Sequence, residues 1–176
     1  MTLVQIFEAW LWSFGASACF AVFFNAEKRD IVLSALLGSI GWIMYVAFKS
    51  GGGAESIGYF AGAFSVAVFA EILAIVLHRP ATVYLIPGIT PLVPGGGIFF
   101  MMRGVVRGEF SEALSAGYGA LATAVAIALG IAIASSIARI VAMAVKGRQH
   151  KTMEEMELTV QLPEDVDTSS SRQKPE

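Results

Sequence analysis

The sequence predicts an all-α membrane protein: a bundle of five transmembrane helices, the fourth broken at a Pro/Gly motif, plus a polar C-terminal tail. Three observations carry this. The 176 residues are 56% hydrophobic and only 15% charged, with a mean hydropathy of +0.68, where soluble domains carry about 25% charge. Apolar runs of about 18 residues or more recur, the length a helix needs to cross the hydrocarbon core. Between them lies "LIPGITPLVPGGG" (85–97), with Pro87, Pro91 and Pro94 and glycines at 88, 95, 96 and 97.

The first span covers about 3–24, the second 31–48 and the third 57–77. "NAEKRD" (25–30) and "KSGGGAES" (49–56) connect them as short polar turns. No positively charged segment precedes the first apolar run, so that run reads as a retained helix rather than a cleaved leader. "HRP" (78–80) ends the third span, because Pro80 disfavours a helical conformation at Arg79. Residues 81–107 form the broken fourth segment, and 113–146 a fifth helix long enough to tilt or protrude. Residues 147–176 hold seven of the fourteen acids and four of the twelve bases, leaving eight bases against seven acids elsewhere. The net charge of −2 thus belongs to the tail. That tail reads as largely disordered, with the alternating "ELTVQLP" as a possible short strand or docking segment. With the N-terminus outside and five crossings, Lys28, Arg29, Arg79, Lys146, Arg148 and Lys151 fall inside, against Lys49, Arg103 and Arg107 outside. The positive-inside rule favours this arrangement and a cytoplasmic tail. A fourth segment that dips in and returns makes the count nearly even.

Proline has no N–H to give the carbonyl four residues back. Continued as a helix, Pro87, Pro91 and Pro94 free the carbonyls of Val83, Pro87 and Thr90. An unsatisfied backbone group in hydrocarbon costs several kcal/mol, so the break must face protein or a wet cavity. Gly95, Gly96 and Gly97 precede a renewed helical run, "IFFMM". They place side-chain-free N–H groups at a helix N-terminus, where the dipole favours an anion. Freed acceptors beside clustered donors are how secondary transporters build midplane sites. The alternative is a packing kink, although three prolines and four glycines in thirteen residues exceed what a bend needs.

"PGITPLVPGG" (87–96), preceded by Glu71 and "HRPATVYLI", resembles the signature of the threonine/serine exporter family of bacterial and fungal membrane proteins. The match lies at Glu71, Arg79, Pro80 and the Pro-Gly-x-x-Pro-Leu-Val-Pro-Gly core, and the layout extends it over about 1–146. Full-length members carry about ten spans in two halves. The chain resembles the small C-terminal half, occurring as a separate polypeptide. The resemblance implies a multi-pass protein of the bacterial inner membrane. It also implies a larger partner half with a soluble N-terminal region, or a homo-oligomer, and proton-driven antiport of threonine and serine. Split members are also linked with dicarboxylate export of the succinate kind. A non-transporting structural or regulatory subunit is the alternative from another class.

Individual residues take roles on this reading. Glu71 lies about 9–10 Å inside the third span's end. Burial there favours its neutral form and makes it the candidate for proton coupling or for binding a substrate ammonium, or else the structural partner of a buried Arg or backbone donor. The substrate-binding set is Thr90, Gly95, Gly96, Gly97 and Arg79, with Pro87, Gly88, Pro91 and Pro94 as the structural break. Thr90 can instead bond its own backbone, and Arg79 can be a snorkelling anchor. Arg103 and Arg107 share a helix face and mark the far interface, or line an anion path. Glu8 and Arg139 read as interfacial. Gly58 and Gly62, and the stripe Gly130, Ala134, Ala138 and Ala142, permit close helix approach. His78 and His150 stand apart and Cys19 is single, so no metal, cofactor, disulfide or enzyme site is expected.

Overall fold

Six helices and one short 3-10 turn follow in order in the computed structural model, which describes residues 3–170, with side-chain detail at 4 and over 6–143. They are α1 (Leu3–Phe23), α2 (Lys28–Ser50), α3 (Glu55–Leu77), α4 (Thr82–Ile89), the 3-10 turn Thr90–Leu92, α5 (Gly95–Arg107) and α6 (Phe110–Ser170). Four helices are long and apolar enough to cross a bilayer, and α4 with α5, bent by 50° at the break, forms a fifth span if it crosses. The all-α membrane class is as the sequence predicts, and among the described residues there is no strand.

Two boundaries differ from expectation. The second span begins at Lys28 and the third at Glu55, which pulls "KRD" and "ES" out of the turns and into helix. The tail differs more, since α6 continues to Ser170 where disorder is expected. "KTMEEMEL" is rich in strong helix formers, and their propensity outweighs the polarity that suggested disorder. Residues 171–176 lie outside the described residues. The chain divides into two compact units, 1–136 and 137–176, and the second is helical from its start to Ser170.

Within the first unit, α1, α2 and α3 form an up-and-down bundle, and α4 packs on α2 and α3. The core is Leu37, Tyr45, Ala63, Val66, Ala70, Tyr84, Leu92 and Ile127. Small residues let backbones approach, as membrane helix pairs require. A methyl group on Gly62 would lie 2.7 Å from the Gly41 carbonyl oxygen and 3.1 Å from Leu92 Cδ2. One on Gly130 would lie 2.8 Å from the Phe60 carbonyl oxygen, which seats α6 on α3. The helix ends use left-handed residues: His78 (φ 54°) after α3, and Gly108 (φ 76°) after α5. At Gly108, N–H groups return to the Gly104 and Val105 carbonyls, and α6 folds back so that Ala113 meets Gly104.

Candidate functional site

The break answers the question of its freed carbonyls from within. The Ser34 hydroxyl on α2 donates to the Val83 carbonyl at 3.3 Å. The Thr90 N–H reaches the Pro87 carbonyl, and the Val93 N–H reaches Thr90 at 3.2 Å. Each acceptor that proline frees therefore already holds one donor. This corrects the expectation of open acceptors for a substrate: a 3-10 turn and one serine from 49 residues away take their place.

The donors fare differently. The first intrahelical bond of α5 runs from the Ile98 N–H to Pro94 at 3.3 Å, and Gly95 N–H folds back to Val93. Gly96 and Gly97 therefore carry two of the N–H groups that every helix start leaves without an intrahelical acceptor. Both line a cavity of about 370 Å³. Pro91, Val93 and Pro94 supply its floor, with Trp42 from α2, Glu55 and Tyr59 from α3, and Ala116, Gly119, Ala120 and Thr123 from α6. That volume lies at the small end of the about 300–1,000 Å³ typical of ligand pockets. Gly95 lies at the same helix start but does not line it.

A polar and aromatic group borders this cavity. Glu55 Oε1 accepts from the Tyr45 hydroxyl at 2.9 Å and from Lys49 Nζ at 3.0 Å, leaving Oε2 for another donor. The Tyr45 ring lies 4.3 Å from Tyr59 and 5.0 Å from Trp42, centre to centre. The Lys49 ammonium is 5.5 Å from the Tyr45 ring centre. The turn Gly51–Gly53 brings Lys49 and Glu55 together, each at the helix end whose dipole favours its charge. Neither Glu55 nor the aromatic trio stood out in the sequence, because "KSGGGAES" reads as a solvated turn.

A second polar cluster occupies the opposite end of the bundle. Arg79 Nη2 contacts Glu27 Oε2 at 2.6 Å, and its Nη1 lies 3.8 Å from Asp30 Oδ2. The Arg79 guanidinium holds the Glu27 carboxyl below its ordinary value by hydrogen bond and charge, and Glu27 raises Arg79 in return. Asp30 is 4% exposed and accepts from the fully buried Tyr84 hydroxyl at 2.9 Å. A cavity of about 340 Å³ lies beside it, lined by Glu27, Asp30, Arg79, Thr82, Ile86 and Pro87 among others. The break thus lies between two cavities, with Pro87 in one and Pro91, Val93, Pro94, Gly96 and Gly97 in the other.

The residues expected from sequence are not all gathered. Gly96, Gly97, Pro91 and Pro94 meet at the first cavity, and Arg79 and Pro87 at the second. Gly88 is buried where α4 crosses α2, its Cβ position 3.4 Å from Leu37. Thr90 donates its hydroxyl to the Ile86 carbonyl at 3.1 Å and lines neither cavity. Glu71 is half-buried on α3, lines neither cavity, and forms no ion pair among the described residues. Arg103 lies 5.0 Å from the Phe100 ring centre, in a separate hollow with Glu112. Among the described residues no group of three metal-ligating side chains forms.

No curated protein and no solved structure matches the chain. The family model described as Threonine/Serine exporter, ThrE matches residues 9–137, a stretch that includes α2 to α5 entire and both cavities. With well over half of its length matched, the chain belongs to the threonine/serine exporter family of membrane transporters.

Proposed function

We propose that the chain is a subunit of a proton-coupled secondary exporter of small carboxylate-bearing metabolites, with threonine and serine as its substrates. One observation carries the reading: the two open amides of Gly96 and Gly97 face the same small cavity as Glu55, Tyr59 and Trp42. A substrate carboxylate fits the α5 N-terminus. The ammonium three atoms away fits Glu55 Oε2 and the faces of Tyr59 and Trp42. The Thr123 hydroxyl, donating to the Gly119 carbonyl at 2.9 Å, keeps its lone pairs for a substrate hydroxyl.

The chain works beside a larger exporter half, or as a homo-oligomer, in the bacterial inner membrane with its tail in the cytoplasm. Within the first three helices, the 24–27 turn and Arg79 meet at one end and Lys49 and Glu55 at the other, as alternating crossings require. A dicarboxylate substrate is the second reading, favoured by Lys49, a cation 3.0 Å from Glu55 at the cavity border. Efflux from cells making this chain with its larger half tests both. Threonine efflux lost in Glu55→Gln supports the amino-acid reading. Succinate efflux lost in Lys49→Gln with threonine not moved replaces it. Neither solute moving refutes transport by this subunit.

A further inference from the structure

We infer that the cavity beside Arg79 is a second substrate subsite, in which the carboxylate of a small α-amino acid replaces Glu27 on the Arg79 guanidinium; the inference rests on the exporter reading above. Arg79 stands in the α3–α4 connection and lines the cavity of about 340 Å³ that reaches Pro87 of the break. Its guanidinium carries several N–H donors in a planar fork. Nη2 is held by Glu27 Oε2 at 2.6 Å, and among the described residues the guanidinium makes no other hydrogen bond. The remaining donors suit a carboxylate, which such a fork can grip by two parallel bonds.

The two carboxylates beside Arg79 are held differently. Asp30 is 4% exposed, and its Oδ1 accepts from the buried Tyr84 hydroxyl at 2.9 Å. It is fixed in place, and its Oδ2 lies 3.8 Å from Nη1, too far for a hydrogen bond. Glu27 belongs to the short α1–α2 connection, its side chain is 64% exposed, and among the described residues Arg79 is its one side-chain partner. An exposed ion pair of this kind contributes little, so exchanging Glu27 for a substrate carboxylate is close to neutral. Glu27 thus acts as a tethered stand-in for the substrate, closing the subsite between loads. A zwitterion fits the rest of the arrangement. Its carboxylate takes the place of Glu27 on Arg79. Its ammonium meets Asp30 Oδ2, which accepts no hydrogen bond among the described residues. A dicarboxylate would instead set a second negative charge against Asp30. On the topology proposed above this end faces the cytoplasm, from which an exporter loads, and Pro87 joins the cavity wall to the break.

The test uses the full chain in nanodiscs, with Cys19→Ser and a single cysteine at Thr82, which is exposed on the cavity wall. A water-soluble maleimide labels it with and without threonine, and the ratio of the two rates cancels the reactivity of the thiol itself. Threonine should slow labelling saturably, whereas a cysteine at exposed Ser111, outside this cavity, should label at one rate throughout. Glu27→Gln keeps the length but not the charge. It should lower the half-protecting concentration severalfold, because a site occupied by its own carboxylate is available for only part of the time. Arg79→Gln should abolish protection. Arg79→Lys, which keeps the charge without the planar fork, should raise the half-protecting concentration severalfold, and serves if Arg79→Gln fails to fold. Ethanolamine, which lacks the carboxylate, should not protect, and succinate should need severalfold more than threonine. No protection by threonine in the parent and in Glu27→Gln alike, a higher half-protecting concentration in Glu27→Gln, or protection kept in Arg79→Gln overturns the subsite. Protection lost in Gly96→Val places the binding at the break and also overturns it, while equal protection by succinate overturns the role of Asp30. The expected pattern without efflux of any solute, from cells making the chain with its larger half, removes the exporter reading and leaves the subsite. Efflux with the parent's half-saturating threonine concentration in both Glu27→Gln and Arg79→Gln does the reverse.

Discussion

Gly62→Ala is the perturbation that most sharply probes how the break is held. Gly62 faces Gly41 at the crossing of α3 and α2, and Leu92, from the 3-10 turn, seals that crossing. An added methyl would stand 2.7 Å from the Gly41 carbonyl oxygen, and 3.1 and 3.4 Å from the two Leu92 methyls. Leucine can change rotamer, but the carbonyl belongs to a helix, so α2 and α3 must separate by several tenths of an ångström. Overpacking of this kind costs about 1–3 kcal/mol. Alanine returns about 0.5–1 kcal/mol through its better helix propensity, for a net loss of up to about 2.5 kcal/mol. Gly15 on α1 is the control, for a methyl there meets nothing within 4 Å. Gly15→Ala should therefore gain about 0.5–1 kcal/mol. Thermal unfolding in one detergent, read by near-ultraviolet circular dichroism, ranks the three proteins. The order Gly15→Ala, parent, Gly62→Ala is expected. A Gly62→Ala midpoint at or above that of Gly15→Ala would refute the close crossing and the seating of Leu92 on it.

Other outcomes follow from the same geometry. Gly96→Val should fold with the parent's midpoint, since a Cβ there meets nothing within 4 Å, yet block efflux by filling the cavity; matched expression with parental efflux would contradict this. A double-mutant cycle of Asp30→Asn and Tyr84→Phe should give a coupling of about 1–2 kcal/mol, the range for a bond to a charged group near a membrane; additive effects would deny the bond. The Glu27 carboxyl is held below its ordinary 4.5 by Arg79, so its stabilisation is present above that value and lost as pH falls through the lowered one. The stability gap between the parent and Glu27→Gln should accordingly close on acidification below 4.5, and a gap that widens would reverse the sign.

The span layout was legible because hydropathy alone sets it, and the break because proline and glycine act through their own backbone chemistry. What lay hidden depended on partners far along the chain. Asp30 reads as part of a solvated turn until Tyr84, 54 residues on, buries and bonds it. Glu55 likewise reads as loop, although it opens α3 and borders the cavity. Glu71 stood out for the opposite reason: a lone acid amid apolar residues is conspicuous in sequence, but its helix face leads to neither cavity. The open carbonyls expected at the break failed on a similar count. Ser34 on α2 supplies a donor that no local pattern announces. A lone tyrosine in the short α4 was the one available hint of a buried polar partner.

Equilibrium binding of labelled threonine to the purified protein in nanodiscs, comparing the parent with Gly96→Val, tests the central claim most directly. The cavity at the break predicts saturable binding in the parent, displaced by serine, and none in the folded variant. Equal saturable binding by both proteins, or none by the parent together with its larger half, would contradict the placement of the substrate at the α5 N-terminus.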